Sequence, residues 1–222
     1  MDTKHLPEQL TKIVTYYYDN YSRTKRIKEE YYKNKKGEPS GEYKSYYENG
    51  CLKENFFYKD GFVEGCYTRY FDNKEIQEIM NYKSGRVIKV ISLKDDQKRE
   101  CTLPDGEITI WKACKAKNPY GNSTIPVFVK LQIPKEARRI TTINTNNRFQ
   151  ARVEYAKVLE ITDNYDEKYD DAYSFVYGGQ QLKYTVGEIV FPSSFNTDPN
   201  EDCGAGINVH RYIDLCKIWF YA

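Results

Sequence analysis

The sequence predicts a mainly β chain: a sheet of antiparallel hairpin repeats, then a compact β-rich (α+β) domain. Three observations lead there. Residues 41–64 and 65–88 align at a spacing of 24, with Gly41 on Gly65, Tyr43 on Tyr67, Asn49 on Asn73, Glu54 on Glu78 and Gly61 on Gly85. A fixed period of this length marks a repeat array, in which neighbouring units bury one another's apolar faces. Turn residues separate the aromatic runs within each unit. Tyrosine is over-used, with 22 copies against 2 Trp and 2 Met. It suits half-buried strands, because the ring packs while the hydroxyl reaches water.

Each unit reads as a hairpin. In the first, Glu42 to Glu48 forms a strand, Asn49-Gly50 the turn and Leu52 to Tyr58 the return strand. Asn-Gly between aromatic runs predicts a type I′ turn, with both residues at positive φ. Asp60-Gly61 reverses the chain again, and Asn73-Lys74 is the second unit's weaker version of the turn. A degenerate copy precedes these, because Tyr16 to Asn20 echoes Ser45 to Asn49 and a return strand follows over Ile27 to Tyr32. Val87 to Ile91 adds a closing strand, for a meander of about six to eight strands, beyond the roughly three repeats such arrays need. The repeat is lost where charge density rises over Lys94 to Asp105, which places the domains at 1–97 and 98–222.

The pattern Gly-x-Tyr-x-x-Tyr-Tyr-x-Asn-Gly-x-Leu over Gly41 to Leu52, closed by Tyr58 and Gly61, resembles the variant MORN repeat. The resemblance covers roughly Thr11 to Ile91. It implies an elongated antiparallel sheet and a role as a scaffold or in contacts with proteins and membranes.

In the second half, Val127, Val129, Leu131 and Ile133 alternate with Phe128, Lys130 and Gln132, predicting a half-buried strand ended by Pro134. Arg152 to Ile161 reads as a strand or a short helix. Tyr173 to Tyr177, a Gly178-Gly179 turn, Leu182 to Val186 and Glu188 to Phe191 predict further hairpins, and Arg211 to Phe220 a terminal helix. The ordered strings Ala151-Arg152-Val153, Tyr184-Thr185-Val186-Gly187 and Cys203-Gly204-Ala205-Gly206-Ile207 resemble the uncharacterised C-terminal domain of giant-virus MORN-repeat proteins of the mimivirus and marseillevirus kind. Ala151 stands where that family's motif has cysteine, and Asn208-Val209 where it has His-Phe. The resemblance carries no activity.

Composition narrows the function classes. A net charge of +2 from 34 basic and 32 acidic residues supplies no global field for nucleic acid. The start, MDTKHLPEQL, lacks an apolar core for a secretory signal, and no apolar run approaches a membrane span, so a cytosolic setting with six free thiols is expected. Leu6 to Leu10 has the look of an F-box opening, but proline in a first helical turn explains it. Scattered cysteines and two histidines lack paired metal-ligand spacing, and the acidic run Asp163 to Asp171 lacks the glycine and final Glu of a calcium loop. No metal and no cofactor are expected.

Three function hypotheses follow. The leading one is a non-enzymatic structural or protein-interaction scaffold of a large DNA virus, in the virion or host cytoplasm, with viral capsid proteins as partners. Its contact residues are Tyr17, Tyr46, Phe57 and Tyr70, opposite the face of Tyr43, Tyr47, Leu52 and Phe56. The second is an enzyme that pairs Cys203 with His210, since a thiolate needs a nearby base; no third orienting group accompanies the pair. The third is peripheral membrane binding through Arg23 to Lys36, where a solvated rim explains the same mixed charges.

Overall fold

The computed structural model describes residues 9–18, 24–143, 149–175, 181–201 and 204–220. The chain divides into two compact units, Met1–Lys98 and Arg99–Ala222. The fold is mainly β, as the sequence predicts.

In the first unit, strands β1 (Thr11–Tyr18), β2 (Lys25–Lys33), β3 (Gly41–Tyr46), β4 (Leu52–Lys59), β5 (Phe62–Tyr70), β6 (Ile76–Lys83) and β7 (Arg86–Leu93) form one antiparallel sheet in sequence order. Every connection is local, as short hairpin turns dictate.

Two kinds of turn alternate along the sheet. At the β4–β5 turn, Asp60 and Gly61 both take positive φ (50° and 81°), and at the β6–β7 turn Ser84 and Gly85 do the same (48° and 76°). Lys59 pairs with Phe62 and Lys83 with Arg86, so these are two-residue type I′ hairpins. Asn49-Gly50 is not one of them, which corrects the expectation. There the Tyr47 N–H donates to the Cys51 carbonyl (2.8 Å) and the Gly50 N–H to the Tyr47 carbonyl (2.9 Å). Of that turn only Gly50, at 82°, has positive φ. This is a three-residue loop with a type I turn and one left-handed residue. Asn49 Oδ1 accepts the Cys51 N–H at 2.9 Å, a bond that holds Asn49 in the turn. The β5–β6 turn repeats the device: Asn73 Oδ1 accepts the Glu75 N–H (3.1 Å), and Lys74 sits at φ 73°.

The edge strand β7 carries two bulges. Tyr82 pairs with Val87 but Asn81 with Lys89, leaving Ile88 over; Met80 pairs with Val90 but Ile79 with Ser92, leaving Ile91 over. Val87 and Leu93 are buried while Ile88 and Ile91 are exposed. The bulges interrupt the regular ladder on an open edge.

The second unit holds a six-stranded sheet, ordered β14-β13-β8-β9-β12-β15, and a three-stranded sheet, β10-β11-β16. Its strands are β8 (Ile108–Lys117), β9 (Thr124–Ile133), β10 (Arg139–Thr141), β11 (Ala151–Val153), β12 (Ala156–Thr162), β13 (Asp171–Tyr173), β14 (Lys183–Thr185), β15 (Ile189–Val190) and β16 (Ile207–Val209). Ile110, Cys114, Val127, Val129, Leu131, Val153, Val158, Tyr184 and Ile207 belong to one core. The strand predicted as half buried turns Val127, Val129, Leu131 and Ile133 into this core, and on its other face Phe128 is buried while Lys130 and Gln132 are partly exposed. Phe128, from its other face, packs with Ala113, Trp111, Ile213 and Cys216 of the terminal helix α1 (Ile213–Lys217). A 3-10 turn, Ile218–Phe220, ends the described chain, and the Phe220 ring meets Phe128 at 5.4 Å. Arg152 to Ile161 resolves into two strands, and Gly178-Gly179 lies outside the described residues.

The two related hairpins give a direct test of turn chemistry. A left-handed residue with a Cβ costs about 1 kcal/mol, so Lys74→Gly should raise stability by up to that amount. Gly50→Val should lower it by at least as much, since no contact within 4 Å compensates the new side chain. Chemical denaturation of the full chain checks both signs.

Candidate interaction surface

Strand alternation divides the first unit's side chains between two faces. On one face the rings form a ladder across five strands: Tyr31 to Tyr43 (6.0 Å), Tyr43 to Phe56 (4.5 Å), Phe56 to Tyr67 (5.3 Å) and Tyr67 to Tyr82 (5.7 Å). Beside it runs a row of polar groups in register: Glu29 opposite Ser45, Ser45 opposite Glu54, Glu54 opposite Arg69 and Arg69 opposite Glu78. The tyrosines bond to this row. Tyr43 donates to Glu29 Oε2 and, 24 residues on, Tyr67 donates to Glu54 Oε1, both at 2.8 Å. Arg69 bridges two carboxylates, reaching Glu54 and Glu78 at 2.9 Å each.

These partners set the ionisation of the row. Burial pushes the Glu54 carboxyl up, but hydrogen bonds from Tyr67, Ser45 and Arg69 outweigh it and hold the group below its ordinary value. Glu78 goes the other way: burial raises it, the Glu54 charge adds to the rise, and Arg69 only partly offsets them. Two carboxylates sharing one guanidinium in a part-buried row separate in this manner.

The predicted contact residues fare differently. Tyr17 is half-buried and its hydroxyl donates to the Tyr46 carbonyl at 3.0 Å. Tyr46, also half-buried, donates to Glu30 at 2.6 Å, and burial followed by that carboxylate pushes its phenol up to about 12. Tyr70 is half-buried, and its carbonyl accepts the Tyr47 hydroxyl at 2.7 Å. Phe57 alone of the four is largely open, at 53 % exposure. The structure does not gather them into one patch. It sets beside Phe57 a residue the sequence reading missed, Phe62, 58 % exposed on β5. Phe57 pairs with Glu64 and Lys59 with Phe62, so the two phenylalanines are diagonal neighbours on one face. Phe62's position directly after Asp60-Gly61 was the available signal.

Part of the basic segment is engaged within the sheet, while Lys35 and Lys36 are exposed. Lys25, Lys28 and Lys33 lie over the rings of Tyr16, Tyr17 and Tyr31, and Arg26 donates to the Glu48 carbonyl at 2.8 Å. Arg23 and the F-box-like Leu6 to Glu8 lie outside the described residues.

In the second unit one member of the suspected Cys203–His210 pair is described. Cys203 lies outside the described residues. His210 is 3 % exposed, and its backbone exchanges two hydrogen bonds with Trp111 (2.9 and 2.7 Å). Burial pushes the Cys114 thiol up to about 12 and that of Cys216 up as well, the opposite of an activated nucleophile. The described cysteines Cys51, Cys66, Cys101, Cys114 and Cys216 are free. Among the described residues no cluster offers three metal ligands. Asp163 instead organises its own turn, its Oδ1 accepting the N–H groups of Tyr165 (2.8 Å) and Glu167 (3.1 Å).

The motif strings around Arg152 converge. The side chain is fully buried on β11, where Nη1 donates to the Asn196 carbonyl at 2.7 Å, Nη2 to the Glu201 carbonyl and Nε to Asn208 Oδ1 at 3.3 Å. Glycines make room for it: a Cβ on Gly204 would stand 2.9 Å from Arg152 Cζ, and one on Gly206 2.6 Å from Cγ. One arginine thereby ties β11 to the loop that leads into β16.

A model for a family of unknown function (DUF5758) matches residues 103–214, just over half of the chain and nearly all of the second unit. The chain belongs to this family. No curated protein and no solved structure matches it. The DUF5758 match spans the buried Arg152 and its glycine walls, so this clamp lies within the matched region.

The Glu54–Arg69–Glu78 bridge predicts two effects. Arg69→Met should cost roughly 2–4 kcal/mol, less than breaking a fully buried pair because the guanidinium side chain is 38 % exposed. The pH dependence then splits by residue. Glu54, depressed in the fold, contributes stability above its unfolded value near 4.5 that is lost as pH falls through the folded value. Glu78, raised in the fold, contributes below 4.5 and loses that contribution as pH rises through its folded value. Between about pH 3 and pH 7, the stability of wild type over Glu54→Gln should therefore grow, and that over Glu78→Gln should shrink. Urea midpoints across the range check both signs.

Proposed function

We propose that this chain is a non-enzymatic structural or protein-interaction scaffold. The first unit presents its contact surface, and the DUF5758 domain is a rigid companion. The observation that carries this reading is the unequal use of the two sheet faces. One face binds its rings and carboxylates to one another, while the other exposes Phe57 and Phe62 side by side. Exposed aromatic side chains are enriched at protein contact sites. Burial of the His210 imidazole weighs against the Cys203 enzyme reading, and the engagement of Lys25, Arg26 and Lys28 weighs against a membrane role for that segment. The setting we propose comes from the MORN-type and giant-virus resemblances: a large DNA virus, in the virion or host cytoplasm, with capsid proteins as partners.

Capture of viral capsid protein from infected cells by the tagged full chain tests the reading. Phe57→Ser with Phe62→Ser should reduce capture about tenfold or more, because aromatic anchors dominate such contacts. Cys203→Ala should leave capture intact. Tyr46→Ala is the poorer probe, since it removes the bond to Glu30 inside the sheet. Loss of capture in Cys203→Ala with the double phenylalanine variant unaffected would reverse the assignment.

A further inference from the structure

The corner that holds Phe57 and Phe62 is also basic. Lys59 stands opposite Phe62, and Gly85 of the β6–β7 turn packs so closely that a Cβ there would lie 3.1 Å from the Phe62 ring. Lys83 and Arg86, paired across that turn, point to the same face, and Ile88 follows at 60 % exposure. Some cations elsewhere in the unit are matched, Lys12 with Glu30, Lys44 with Glu42 and Lys98 with Glu75. Lys59, Lys83 and Arg86 make no ion pair and no ring contact among the described residues. Of the nearby carboxylates, Glu64 accepts the Ser84 N–H at 2.7 Å and Asp60 occupies the turn.

The second unit carries a feature of opposite chemistry. Tyr165 projects from the turn after β12, 86 % exposed, with Asp166 and Glu167 exposed beside it. The Asp163 side chain and the Asp163 N–H bond to the Glu167 carbonyl (3.1 Å) fix this turn, so the ring is presented without a large ordering cost. Neither Asp166 nor Glu167 makes an ion pair among the described residues.

We infer that the acidic Tyr165 turn of one copy docks on the Phe57–Phe62–Arg86 corner of a second copy, giving a head-to-tail contact between identical chains. Charge complementarity selects the occupant: an aromatic tip flanked by two carboxylates meets two aromatic rings flanked by three cations. A contact between two different patches of the same chain leaves one patch of each kind free, so further copies add until the rotation closes a ring, or without limit where it does not. This inference rests on reading the corner as a contact surface, yet the two separate experimentally. A monomer that still captures capsid protein through Phe57 and Phe62 defeats the self-association alone.

Sedimentation velocity of the purified full chain supplies the test. At low salt the mean mass should rise with protein concentration, and the rise should weaken at high salt as screening sets in. Lys83→Glu with Arg86→Glu should weaken association at least about tenfold, and so should Asp166→Lys with Glu167→Lys. Both variants change exposed side chains, and unaltered circular dichroism should accompany each. Mixed in equal amounts, the two variants should associate again, because each then offers a surface of opposite charge to the other. A wild-type chain that stays monomeric throughout overturns the proposal. So does a loss confined to one of the two variants, or a mixture that fails to recover.

Discussion

The first unit depends on keeping carboxylates inside an aromatic face without leaving them unbonded. Glu29, Glu54 and Glu78 stand in a row where alternation turns them towards Tyr43, Phe56 and Tyr67. A carboxylate there needs donors, and each unit supplies them from its own period: a tyrosine hydroxyl in one repeat reaches the glutamate of the strand before it. The chain cannot slip by one residue without turning these groups to the opposite face. Register, packing and electrostatics are therefore one constraint, and the 24-residue spacing is its signature. The opposite face carries one such bond, Tyr46 to Glu30, and at the β4–β5 hairpin it leaves Phe57 and Phe62 in solvent.

In the DUF5758 domain a single buried cation has the comparable place. Arg152 draws the Asn196 and Glu201 carbonyls and the Asn208 side chain towards β11, and Gly204 and Gly206 are small because the arginine passes against them. Motif strings far apart in sequence thus meet around one side chain. The arrangement orients a loop and a strand.

What could be read from the sequence follows from how local its causes are. The seven-strand meander was legible because each strand pairs with its neighbour in the chain, and the repeated glycines mark the reversals. Turn type was not: Asn-Gly predicts two residues at positive φ, yet the Asn49 side chain bonds to Cys51 and the left-handed role falls to Gly50 alone. The strand Ile108–Lys117 went unpredicted because Lys112, Lys115 and Lys117 interrupt its apolar run. One of those ammonium groups, on Lys112, donates to the Asn208 carbonyl at 2.9 Å. Burial of Phe128 depends on a helix roughly 90 residues later, which alternation alone cannot report. At the candidate surface Phe57 was legible, whereas Tyr17 and Tyr46 were not, because hydroxyl bonds to a distant strand decide whether such rings are offered to a partner.

The hydroxyl–carboxylate bond that recurs with the repeat is the central claim, and a double-mutant cycle between Tyr67→Phe and Glu54→Gln measures it. Removing the hydroxyl leaves the ring in its ladder, so packing is held nearly constant. The account predicts a coupling of about 1–2 kcal/mol, as expected for a hydrogen bond to a charged, part-buried acceptor. A coupling indistinguishable from zero, with each single variant close to wild type, would contradict it: the rings alone would then hold the register, and the glutamate row would be incidental to the fold.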